Sequence, residues 1–121
     1  MSLPTTDHRI SLQQAIDMTT MFRARKGQIL NPAFSKVLSI SETFNRDIFD
    51  ALLAQPGAAG IRIYYGMDSG MAVHAILVAV DSTGNDILPS STTTTTSTDS
   101  GTIGEVGQTC PPNCVSSPLN P

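Results

Sequence analysis

Two groups of residues have the types and spacing to do chemistry. The first is Cys110-Pro111-Pro112-Asn113-Cys114, which holds both cysteines of the chain. The spacing is C-x3-C, not the C-x2-C of thioredoxin-like redox sites or zinc knuckles. Two prolines favour an extended polyproline II segment rising about 3.1 Å per residue. A disulfide needs Cα atoms within about 6.8 Å, so the chain would have to turn at Asn113 to close one. Two reduced thiols are the first expectation. A small disulfide and a structural zinc are the alternatives. Zinc needs four ligands, and the available set, Cys110, Cys114, His8 and His74, comes from three distant segments. The second group is Arg62, Tyr64 and His74. His74 would serve as general base and Arg62 as anion clamp, but no motif sets a nucleophile beside them. Ser69, in Gly66-Met67-Asp68-Ser69-Gly70, is not midway between glycines ahead of a helix, as a nucleophile elbow requires. The plain alternative is a histidine packed under the C-terminal tail. No catalytic residue, metal or cofactor is assigned.

Other motifs carry less. Asp81-Ser82-Thr83-Gly84-Asn85-Asp86 resembles a calcium loop only superficially, lacking Gly at the sixth position and Glu at the twelfth. It reads as a hairpin turn with Asx-type hydrogen bonds. Gly57, Gly60 and Gly66 match no phosphate loop.

The elements that must position these groups come from periodicity and caps. Ser11 and Gln14 form a capping box. Leu12, Ala15, Ile16, Thr19 and Phe22 recur at helical spacing, with Met18 and Met21 widening the stripe, and Gly27 ends the helix. Ser35 to Ile40 reads as a strand. Asn45 opens a second helix, whose Ile48, Phe49, Leu52 and Leu53 form one face, and Gln55-Pro56-Gly57 stops it. Gly60 to Met67 and Met71 to Val80 read as strands joined by Asp68-Ser69-Gly70, a type I turn with a G1 bulge. Asp86 to Leu88 is a short last strand. The fold class is α+β: a largely antiparallel β-sheet with two helices packed on one face, followed by an extended Ser/Thr-rich linker and a C-terminal tail. Residues 1–89 form a single domain. Residues 90–102 are the linker, of which 90 to 98 are all Ser or Thr, and 103–121 are the tail.

The three-residue turn puts Met67 opposite Met71, Tyr64 opposite His74 and Arg62 opposite Ile76. One sheet face then carries Ile61, Ile63, Tyr65, Val73, Ala75 and Leu77 under the helices. The other carries Arg62, Tyr64, His74, Ile76, Val78 and Val80. A solvated antiparallel face alternates to polar residues, and this one does not. Arg62, Tyr64, His74, Ile76 and Val78 therefore mark a ligand or partner face. Its expected cover is the tail or a second copy of the chain.

Composition excludes some functions. Seven Lys+Arg face ten Asp+Glu, and charged residues are 14% of the 121, against about 25% in an average protein. Aromatic residues are 5%, with no Trp. Neither a basic footprint nor a stacking platform for nucleic acid is present. The longest apolar run, Met71 to Val80, is ten residues, short of the ~20 that span a bilayer. The N-terminus has no basic start followed by an apolar core. The expected location is the cytoplasm, with no membrane and no nucleic-acid partner.

Gly60-Ile61-Arg62-Ile63-Tyr64-Tyr65-Gly66-Met67-Asp68, Val78-Ala79-Val80-Asp81 with Gly84-Asn85-Asp86-Ile87, and the Cys-Pro-Pro-Asn-Cys tail resemble a group of small uncharacterised bacterial proteins. The resemblance covers about half the chain. It implies a sheet followed by a polar stretch and a cysteine pair, and it carries over no activity. The first functional reading is a non-catalytic interaction or ligand-binding module, partnered by a second copy or another protein. The alternative is a small thiol- or metal-dependent protein using Cys110 and Cys114.

Overall fold

The structure is a computed structural model that describes residues 2–3, 5–89, 103–105 and 107–121. Residues 90–102, expected to be a linker, lie outside the described residues. The elements run α1 (Leu12–Ile29), a 3₁₀ turn (Pro32–Phe34), β1 (Ser41–Thr43), α2 (Arg46–Leu53), β2 (Ala58–Met67), β3 (Val73–Asp81), β4 (Asp86–Ile87), β5 (Ile103–Gly104) and β6 (Gln108–Cys110). With two helices and two antiparallel sheets of four and two strands, the fold is α+β. The described residues fall into two compact units. One draws on 2–3, 5, 44–66, 74–89, 103–105 and 107, the other on 6–43, 67–73 and 108–121.

The first unit is the four-stranded sheet with α2. β3 is its centre. β2 lies on one side, while β4 and β5 share the other, Ala79 facing Ile87 and Leu77 facing Gly104. Its core follows from α2's 3.6-residue period. Leu52, mid-stripe, is fully buried and packs with Leu77 and Ala79, bordered by Phe44, Ile48, Phe49, Ala58, Ile61 and Ile87. Phe44 and Phe49 meet edge to face, with centroids 6.4 Å apart. Asn45 takes the N-cap position as expected, yet its side chain makes no capping bond.

The β2–β3 turn is of the expected kind but sits one residue later. The Asp68 N–H donates to the Ala72 carbonyl and the Met71 N–H to the Asp68 carbonyl, both at 3.0 Å. The loop is thus 69–71, and Met71, not Gly70, takes the left-handed conformation, at φ 69°. Asp68 therefore faces Ala72. Carried along the strands, this sets Tyr64 opposite Ile76 and Arg62 opposite Val78, two positions from the expected register. A shift of two keeps every side chain on its face. The sorting of residues between faces survives for that reason.

Part of the expected cover, the start of the tail, is placed at the sheet edge. Ile103–Gly104 joins the ladder at the edge of β3. Val78 and Val80 are nevertheless 2% and 1% exposed in the single chain, so they need no second copy to cover them. Sequence reading overlooked the N-terminal segment. The Leu3 N–H donates to the Ser82 carbonyl, and Leu3 Cδ2 and Val80 Cγ2 both close on Gly60.

The second unit holds α1, the β1–β6 pair and the end of the tail, 108–121. The Ser11–Gln14 capping box is present in both directions. α1 runs past Gly27 to Ile29, where the Leu30 N–H donates to Lys26 and Asn31-Pro32 begins the 3₁₀ turn. Residues 35–40 do not form the expected strand. Asn31 caps the 3₁₀ turn through the Ala33 N–H, and the Val37 N–H folds back to the Phe34 carbonyl. Local bonding takes the Val37 donor, and the Ser35 N–H likewise returns to the Pro32 carbonyl. Pairing with β6 begins at the Ile40 N–H, which donates to the Cys110 carbonyl, and continues along β1, where Ser41 faces Cys110 and Thr43 faces Gln108.

Candidate functional site

The alternation of β2 brings Arg62 and Tyr64 to one face, and register brings Asp86 to the same face, since Asp86 is opposite Val80. Arg62 and Tyr64 both bond the Asp86 carboxylate. The second guanidinium nitrogen donates to the Gly84 carbonyl at 2.9 Å. Because β3 lies between β2 and β4, the arginine must cross the central strand. It does so on the side of the sheet that also carries Val78 and Val80, and its charge ends on the Asp86 carboxylate. His74 does meet the tail: its Nδ1 is 3.7 Å from Glu105 Oε1. Of the five residues expected to mark a ligand or partner face, Arg62 and Tyr64 converge on Asp86, and His74 stands apart with Glu105. Val78 is buried and Ile76 is half-buried, its Cδ1 closing on Gly66.

This cluster suits holding strands together. The guanidinium and phenol are spent on one carboxylate, which leaves no arrangement of nucleophile and base. Asp86 was missed in the sequence because its role depends on register. An acid on the third strand meets an arginine on the first only when both project to one side of the second.

The cysteines are not two free thiols. Cys110 and Cys114 form a disulfide with Cα atoms 4.8 Å apart. The prolines do not extend the segment as expected. The Asn113 N–H donates to the Thr109 carbonyl and the Cys114 N–H to the Pro112 carbonyl, so the chain turns on itself, and both peptide bonds preceding the prolines are cis. The two sulfurs are in unlike surroundings. Cys110 is 1% exposed, at the end of β6, while Cys114 is exposed on the loop beyond. Asn120 Nδ2, also missed in the sequence, is 3.8 Å from Cys110 Sγ and donates to the Val115 carbonyl at 3.1 Å. A cleft of about 620 Å³ opens here, lined by Thr19, Ser41, Gln108, Cys114 and Asn120 among others. Such a volume is within the range of small-molecule sites.

α1 carries the third feature. None of its eighteen residues is buried. Ala15, Ile16, Thr19, Arg23 and Lys26 are half-buried and make one stripe. Beside it, Met18, Met21, Phe22 and Ile29 are 65%, 53%, 37% and 75% exposed. Spacings of three, four and seven place these four along one helical flank. The stripe read in the sequence as core is thus split, half packed and half open. No helix among the described residues is long and apolar enough to cross a membrane.

No family model, curated protein or solved structure matches the chain.

Proposed function

We propose that this chain is a non-catalytic interaction module that associates with a second copy of itself through α1. The observation that carries this reading is the open flank of Met18, Met21, Phe22 and Ile29 on a helix with no buried residue. A large apolar side chain left in water forgoes about 1.5–3 kcal/mol of burial. An amphipathic helix showing anchors at these spacings is a common docking element, and methionine adapts its shape to a partner. The charges suit self-association. Asp17 lies toward the start of α1 and Arg25 toward its end, and both are exposed. Two copies packed antiparallel set acid against base.

Location belongs to the same reading. A cytoplasmic chain keeps a cysteine pair reduced unless the disulfide is a transient, working one, whereas oxidising compartments keep it closed. A Cys110–Cys114 bond that stays closed in cells points to an oxidising compartment, whereas one that cycles is compatible with the cytoplasm.

The test is light scattering over a wide concentration range on the full chain and on Met18→Glu/Ile29→Glu. Both residues are exposed in the single chain, so the variant should fold and should melt like the parent at dilutions where the parent is monomeric. The parent should show a concentration-dependent dimer, and the variant a monomer. A parent that stays monomeric at the highest concentration reached would sink the reading.

A further inference from the structure

We infer that the Cys110–Cys114 disulfide is a thiol–disulfide exchange site, in which a low-molecular-weight thiol entering the tail cleft attacks Cys114 and Cys110 leaves as thiolate. The inference stands apart from the helix interface proposed above and rests on the asymmetry of the two sulfurs.

Exchange requires a thiolate to approach one sulfur along the line of the S–S bond. Cys110 is 1% exposed, so that approach is closed on its side. Cys114 is exposed and lines the cleft, so attack falls there. The backbone agrees with this division. Cys110 is fixed in the β1–β6 ladder opposite Ser41, and its carbonyl accepts from the Ile40 N–H at 2.8 Å. Cys114 is on a loop outside any strand and can move with the group it acquires.

The leaving sulfur needs help, because burial alone raises a thiol's pKa and makes it a poor leaving group. Asn120 supplies it. Its amide donor is 3.8 Å from Cys110 Sγ, and a hydrogen bond strengthens when the acceptor becomes an anion. Asn120 is a positioning and stabilising residue here, not a nucleophile. The described residues lining the cleft are Thr, Ser, Gln, Asn, Ile, Val, Leu and Cys. None carries a charge, so no carboxylate among them repels an incoming thiolate.

The steps balance. The thiolate RS⁻ forms an S–S bond to Cys114 Sγ. The Cys114–Cys110 bond breaks, and its electron pair stays on Cys110 as thiolate, which then takes a proton from water. A second RS⁻ attacks the R-bound sulfur of the mixed disulfide and forms RSSR. Cys114 leaves as thiolate and is protonated. Two thiols are oxidised to one disulfide, and the protein disulfide is reduced to two thiols.

The experiment uses the oxidised full chain and 2-mercaptoethanol under native conditions. The reaction is quenched with acid, alkylated and mapped by tandem mass spectrometry. The expected result is a mercaptoethanol adduct on Cys114 with the alkyl group on Cys110, favoured on the order of tenfold or more over the reverse. An even split, the reverse assignment, or a bond that opens only when circular dichroism reports unfolding overturns the inference. A second arm follows alkylation of Cys110 against pH in Cys114→Ser, with and without Asn120→Ala. Loss of the amide donor should move the midpoint upward. An unchanged midpoint overturns the role of Asn120.

Discussion

Met71 holds in the first hairpin the place that Gly84 holds in the second. Both take the left-handed conformation, at φ 69° and 88°. The Met71 N–H donates to the Asp68 carbonyl and the Gly84 N–H to the Asp81 carbonyl, each at 3.0 Å. The Asp68 N–H donates to the Ala72 carbonyl as the Asp81 N–H does to the Asn85 carbonyl. In each turn one carboxylate oxygen accepts two backbone N–H groups: Gly70 and Ala72 on Asp68, Thr83 and Asn85 on Asp81. The same three-residue device is built twice, once with glycine at the left-handed position and once without.

Met71→Gly should therefore stabilise the protein. A left-handed residue with a Cβ costs about 1–2 kcal/mol, and the extra freedom of glycine in the unfolded chain returns about 0.5–1. The backbone gain is the difference, about 0–1.5 kcal/mol, measured by urea denaturation. Met71 is 45% exposed, so the lost contacts of its covered part offset some of that gain. A variant less stable than the parent would mean that Met71 contributes packing beyond its exposed position.

The same comparison shows how far the sequence could be read. The turn type followed from Asp68 and a nearby glycine, but the glycine that looked made for the left-handed position was one residue early. Only the hydrogen bonds at Asp68 and Ala72 fix that. α2 was legible because one strong apolar stripe meets one sheet. α1 was legible as a helix from its capping box, while the fate of its wide stripe was not, since periodicity says which side chains align and not how many of them find a partner. The Asp86 and Asn120 contacts depend on register and on a turn after Pro112, and neither leaves a periodic trace.

Asp81 should titrate below the ordinary carboxyl value of 3.8. The largest cause is the Thr83 hydroxyl, which donates to Asp81 Oδ1 at 2.7 Å, followed by the Asn85 N–H. A folded pKa below the unfolded one means that the stabilisation is present above the unfolded value and is lost as pH falls through the folded one. Carboxyl-carbon NMR should place the Asp81 midpoint below that of an unstructured aspartate. Thr83→Val, which removes the leading donor, should move the midpoint upward. A midpoint insensitive to Thr83→Val would assign the shift to the backbone donors alone.

Gly104 should tolerate no side chain, and the reason is Ile48. β5 pairs with β3 so that Gly104 faces Leu77, and Gly104 is itself buried. A Cβ built there would lie 2.5 Å from Ile48 Cγ1 and 3.3 Å from Leu77 Cβ. The first distance is well inside contact, and it is to an atom near the root of a branched side chain, which cannot swing aside without leaving its rotamer. Gly104→Ala should cost about 1–3 kcal/mol by overpacking. Gly27, inside α1, has nothing within 4 Å of a built Cβ, so Gly27→Ala should instead gain about 0.5–1 kcal/mol from helix propensity. The two alanines thus separate a clash from a general effect of removing glycine. Ile48→Ala removes the crowding atom, so the Gly104→Ala/Ile48→Ala double variant should be more stable than the sum of the single effects by about 0.5–3 kcal/mol. Denaturation of the four proteins in one buffer measures this directly. Strict additivity would mean that β5 does not press against α2 at this point.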